Sequence, residues 1–177
     1  ADPQGPIDAD AYGIEVHTCV YAGHPDSVSD LEGSTATATL GNVLITKNIV
    51  TILAISEGHT SYGLFIDPDV YADATFGIVS CATSGGVFVE QNEVMVDGDN
   101  NSSNVGIYLH MDHLNAFANG EGSVATALSG PWLIRNNLVD MSGGSNIGIR
   151  LDAYGDAYAD AKDGAIAEFR MTSGVVV

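Results

Sequence analysis

One tetrapeptide constrains this chain more than any other feature, because it is written four times. Gly13-Ile14-Glu15-Val16, Gly63-Leu64-Phe65-Ile66, Gly106-Ile107-Tyr108-Leu109 and Gly148-Ile149-Arg150-Leu151 share a Gly-apolar-x-apolar pattern, with starts 50, 43 and 42 residues apart. Self-similarity at such a period is the sequence signature of stacked repeats. The residues downstream of each tetrapeptide repeat as well. Polar His17, Asp67, His110 and Asp152 come next, succeeded by an aromatic element at Tyr21, Tyr71, Phe117 and Tyr158. Each unit then runs through a Thr/Ala/Ser-rich segment to Gly41, Gly85, Gly130 or Gly174. Beyond that glycine lies an apolar run with a shared asparagine at Asn48, Asn92 and Asn137. The fourth unit reaches this run at Val175, Val176 and Val177.

The local patterns are those of strands. Thr35-Ala36-Thr37-Ala38-Thr39 alternates, Val43 to Ile55 is long and β-branched, and no segment carries a helical period with capping signals. Asp67-Pro68-Asp69 and Asp97-Gly98-Asp99-Asn100-Asn101 read as turns. Each apolar stretch is too short to form its own core, so successive copies must stack and bury one another, their equivalent strands pairing in parallel. The expectation is an all-β chain: residues 1–12 a tether or partial rung, and residues 13–177 one solenoid domain of about four large rungs with uncapped ends.

The pattern resembles the right-handed parallel β-helix of pectate-lyase-like proteins, in which a Gly-Ile-x-Leu strand precedes an Ile-x-x-Asn-x-Ile strand. That resemblance implies that Asn48, Asn92 and Asn137 sit at tight turns and bond to one another across rungs, the asparagine itself tolerating left-handed backbone angles. Tyr21, Tyr71, Phe117 and Tyr158 are expected to form one aromatic stack. The departure is rung size. Units of 42 to 50 residues require a large loop or a flattened β-arch.

Charge narrows the partners. Five Lys+Arg against 23 Asp+Glu give a formal net charge of -18, a field that repels nucleic acid and anionic membranes and attracts cations. No apolar run reaches the roughly 18 residues of a membrane-spanning helix. His17, Asp67, His110 and Asp152 form a column that either holds a transition metal or marks exposed corners, and the second reading leaves the metal ligands unassigned. His24, His59 and His113 recur in no register and read as loop residues. Calcium remains open for the acidic loops, which lack the EF-hand spacing.

No motif supplies a nucleophile or an opposed acid and base, and only Lys47, Arg135, Arg150, Lys162 and Arg170 are available to hold an acidic polysaccharide. The chain is therefore read as a non-enzyme, with a polysaccharide-binding or polysaccharide-cleaving β-helix as the alternative. Cys19 and Cys81 permit one internal disulfide, bridges between subunits or two free, buried thiols. The uncapped repeats, the acidic Gly/Ala/Ser/Thr-rich composition, this cysteine pair and the lack of a catalytic motif resemble the subunit of the amyloid-like cell sheaths of some methanogenic archaea. The resemblance implies a secreted, extracellular structural protein whose partner is itself, with Val175, Val176 and Val177 as the assembly edge.

Overall fold

The computed structural model describes residues 10–23, 35–53, 59–74, 79–98, 101–159, 165–171 and 175–176. Every regular element among them is a strand. The first repeat contains β1 (Ala11–Ala22), β2 (Thr35–Leu40), β3 (Val43–Thr46) and β4 (Ile49–Leu53). The second contains β5 (Thr60–Ala74), β6 (Val79–Ser84), β7 (Val87–Glu90) and β8 (Glu93–Asp97). In the third the long strand is split into β9 (Ser103–Met111) and β10 (Leu114–Ala118), followed by β11 (Val124–Ser129), β12 (Trp132–Arg135) and β13 (Leu138–Ser142). The fourth has β14 (Ser145–Ala153), β15 (Asp156–Ala159), β16 (Ile166–Met171) and β17 (Val175–Val176).

Equivalent strands pair in parallel and form four sheets. The long sheet joins β1, β5, β9 with β10, and β14 with β15. The second sheet runs β2-β6-β11-β16, the third β3-β7-β12-β17 and the fourth β4-β8-β13. The register obeys the repeat: Ile14 lies beside Leu64, and Leu64 beside Ile107. The architecture is an all-β parallel solenoid.

Alternation decides which side chains enter the core. In β2, Ala36 and Ala38 are buried while Thr35, Thr37 and Thr39 face out. The first half of the long sheet packs on the fourth sheet and its second half on the second sheet, so each rung is a flattened arch. Leu64, Ile66, Ile107, Leu109, Val94 and Val96 fill the wide end. The narrow end is nearly all alanine, with Ala72, Ala74, Ala116 and Ala118 set against Ala82, Ala125 and Ala127. Small side chains let Cα atoms of β5 come within 8 Å of β2 and β6, nearer than the roughly 10 Å usual between stacked sheets.

The signature glycine marks the closest approach of the long and fourth sheets. A Cβ on Gly13, Gly63 or Gly106 would stand 2.2, 2.2 or 2.3 Å from a Cγ1 of Val50, Val94 or Val139. No larger residue fits there without moving a sheet.

Ala11 and Tyr12 of the 1–12 segment belong to β1 and pair with Ser61 and Tyr62; residues 1–9 lie outside the described residues. One expectation needs correction. Asp67-Pro68-Asp69 is not a turn but the middle of β5. Proline has no N–H for the ladder, and the neighbouring repeat accommodates it with a one-residue insertion. Ile66 pairs with Leu109, but Val70 pairs with Leu114, and Asp112 and His113 form the break between β9 and β10.

Candidate functional site

Two arrangements carry the chemistry of this chain: a turn ladder and the outer face of the long sheet. At the turn between the third and fourth sheets, Asn48 donates its backbone N–H and Nδ2 to Asn92 Oδ1, at 3.0 and 2.9 Å. Asn92 makes the same pair of bonds to Asn137, at 3.0 and 2.9 Å. Asn92 Nδ2 also donates to Ile45 O at 3.0 Å, and Asn137 Nδ2 to Val89 O at 2.8 Å. The left-handed residue is the one before each asparagine: Lys47, Gln91 and Asn136 have φ of 58, 57 and 54°. Asparagine is needed here for its amide, which binds the next rung, and the preceding position absorbs the unusual backbone angle.

A second asparagine step stands at the corner between the fourth and long sheets. Asn104 Nδ2 donates to Asn146 Oδ1 at 2.9 Å and to Ser142 O at 3.2 Å. Sequence reasoning missed it, although both residues stand two places before a signature glycine.

The aromatic residues form several columns. Tyr21 stacks on Tyr71 with centroids 4.8 Å apart, and Phe117 on Tyr158 at 5.0 Å. They do not form one stack, because Phe117 pairs with Asp73 while Tyr71 pairs with Asn115. Phe117 comes three residues later in its unit than Tyr71 does; the one-residue insertion takes up one of them, so the ring ends two residues along, one full strand repeat on the same face. A further column, Tyr12, Tyr62 and Tyr108, stacks at 5.0 and 5.7 Å.

The polar column continues beside the rings on the same outward face. His17 pairs with Asp67, and His110 with Asp152. His17 Nδ1 lies 3.3 Å from Asp67 Oδ2. Burial, and then the nearby Asp69 carboxylate, push the Asp67 carboxyl up. At the other end Tyr108 donates to Asp152 Oδ2 at 2.8 Å, and Arg150 Nη2 reaches the same oxygen at 2.8 Å. The tyrosine hydrogen bond, aided by the guanidinium, holds the Asp152 carboxyl below the usual range.

His113, expected in a loop, is fixed by the insertion. Backbone N–H groups of Asp112 and His113 donate to Asp69 Oδ1 at 3.1 and 3.0 Å, and His113 Nδ1 lies 3.4 Å from Asp69 Oδ2. Cys19, Tyr21, Asp69, Tyr71 and His113 line a shallow cavity on this face.

Both cysteines are free thiols. Cys19 lies on the long sheet opposite Asp69, whereas Cys81 pairs with Thr37 and Thr126 in the second sheet. At the expected edge, Val175 and Val176 pair with Leu133 and Ile134; Val177 lies outside the described residues. So do Asp99 and Asn100 of the acidic loop considered for calcium, His24, and Lys162. Compared with known proteins, the chain matches no family model, no curated protein and no solved structure.

Proposed function

We propose that this protein is a secreted structural subunit that self-assembles, continuing its parallel strands across subunits into an extracellular sheath, ring or filament. One observation carries the reading. All four sheets are parallel and obey the same repeat, so a strand of another copy in the same register can extend each of them. Open strand edges recruit further strands. The asparagine ladder also has a direction, the Oδ1 of Asn92 and of Asn137 each accepting from the asparagine of the rung before. Copies that extend such a stack must join head to tail, and heterologous contacts of that kind give rings or filaments. Exposed Cys19 is available to lock neighbouring copies as an intersubunit disulfide, formed by oxidation of two thiols with molecular oxygen as the acceptor of the two electrons and two protons.

Electron microscopy of the purified protein near neutral pH, with and without reductant, tests the proposal. Tubes, rings or fibres with a repeat of about 4.8 Å are expected. Discrete particles in every condition would overturn it. Carbohydrate binding is the second reading, supported by half-exposed Tyr12, Tyr21 and Tyr158 along one face; aromatic faces of this kind stack on sugar rings. It requires selective retention of polysaccharides on a glycan array, with binding lost on replacing these tyrosines.

A further inference from the structure

Ligating groups from two strands of one chain converge on the outer face of the long sheet. His17 on β1 with Asp67 and Asp69 on β5 each offer an atom within 4.8 Å of the others. The carboxylates are buried, Asp67 being 6% and Asp69 7% exposed, while the His17 side chain is 54% exposed. Asp69 has a partner at each oxygen, Oδ1 accepting from two backbone N–H groups and Oδ2 facing His113, which leaves Oδ2 a lone pair for an ion. Asp67 has a partner at one oxygen only. Its Oδ2 faces His17, but its Oδ1 is buried without any hydrogen-bond partner. A buried, unsatisfied carboxylate oxygen beside a second carboxylate is costly unless a proton or a cation meets it.

We propose that His17, Asp67 and Asp69 bind a divalent transition metal ion. One imidazole nitrogen with two carboxylates suits zinc and its neighbours in the first row, whereas calcium takes six to eight oxygens. His113 is the positioning residue. By holding Asp69 Oδ2 it orients that carboxylate toward the ion, as outer-shell partners of metal sites do. Three protein ligands leave a coordination position toward solvent, beside the shallow cavity where Cys19 lies. The alternation of β5 makes the pair possible, since Asp67 and Asp69 are two residues apart and share a face. All these residues belong to one chain, so the site does not depend on assembly.

The test is calorimetric titration of zinc chloride into the full chain, stripped with chelator and dialysed. One zinc per chain is expected. His17→Ala and Asp67→Asn should each weaken binding at least about tenfold, the scale of about 1.4 kcal/mol, with the strand-type circular dichroism spectrum retained. His59→Ala should bind like the parent. Because His17 is half-exposed, its loss leaves the fold intact even if Asp67→Asn does not. No zinc binding by the parent, or zinc binding that survives His17→Ala unchanged, overturns the proposal. Calcium chloride matching zinc in heat and stoichiometry would overturn the ligand assignment.

Discussion

Asn92 grips Asn137 twice, its backbone N–H and its side-chain Nδ2 both donating to one Oδ1, at 3.0 and 2.9 Å. Asn48 grips Asn92 in the same way, so the central asparagine serves three successive turns. It is itself 2% exposed. A turn that would otherwise bury bare N–H groups is satisfied entirely by the copy stacked on it.

Replacing Asn92 with Leu leaves the Asn48 donors without their acceptor and Ile45 O without its donor. Each stranded group costs about 1–3 kcal/mol when buried. Asn92→Leu should therefore destabilise the fold by about 2–4 kcal/mol in chemical denaturation. A variant that melts like the parent would show the ladder to be incidental.

The glycine column gives a paired comparison. Gly63→Ala puts a Cβ 2.2 Å from Val94 Cγ1 and 2.4 Å from Gly106 O, whereas a Cβ on Gly148 meets nothing within 4 Å. Gly63→Ala should cost about 1–3 kcal/mol or more, and Gly148→Ala about 0.5 kcal/mol or less. Equal melting temperatures for the two variants would contradict close approach as the reason for the signature glycine.

Asp152 provides a titration. Its carboxyl is held below the ordinary value, first by the Tyr108 hydrogen bond and also by Arg150. A depressed folded value stabilises the fold above the unfolded carboxyl value of about 3.9, and this stability is lost as pH falls through the folded value. Tyr108→Phe should move the Asp152 midpoint upward in a carboxyl NMR titration. A midpoint that stays or falls would assign the shift to another group.

Assembly can be probed at β17. Neighbouring residues of a strand direct their N–H groups to opposite sides, so Val175→Pro and Val176→Pro between them remove one donor toward β12 and one toward the open edge. At least one of the two should abolish elongation while the subunit stays folded, scored by sedimentation and microscopy. Normal fibres from both would rule out strand pairing through this edge.

Much of the fold was legible because a stacked repeat writes its register into its own period. Gly13, Gly63, Gly106 and Gly148 set the units, and the spacing of Asn48, Asn92 and Asn137 reflects strands that must lie one above another. The Thr/Ala alternation of 35–39 declares its buried face for the same reason, since a strand has only two. What the period could not show was where one copy departs from its neighbours. Pro68 looks like a turn residue until the chain beside it is known. His113 looks like a loop residue until the Asp112-His113 insertion turns it back onto Asp69.

Local alternation and likeness between copies were enough to specify the strands, their parallel stacking and the asparagine turns, all of which are written in the order of the residues. Which unlike residues meet was settled in three dimensions. The break between β9 and β10 brought His113 to Asp69, and the two-residue offset of Phe117 from Tyr71 in the strand register split the expected aromatic column into two pairs. Contacts of that kind depend on the offset between strands, and a shift of one residue moves every side chain to the opposite face.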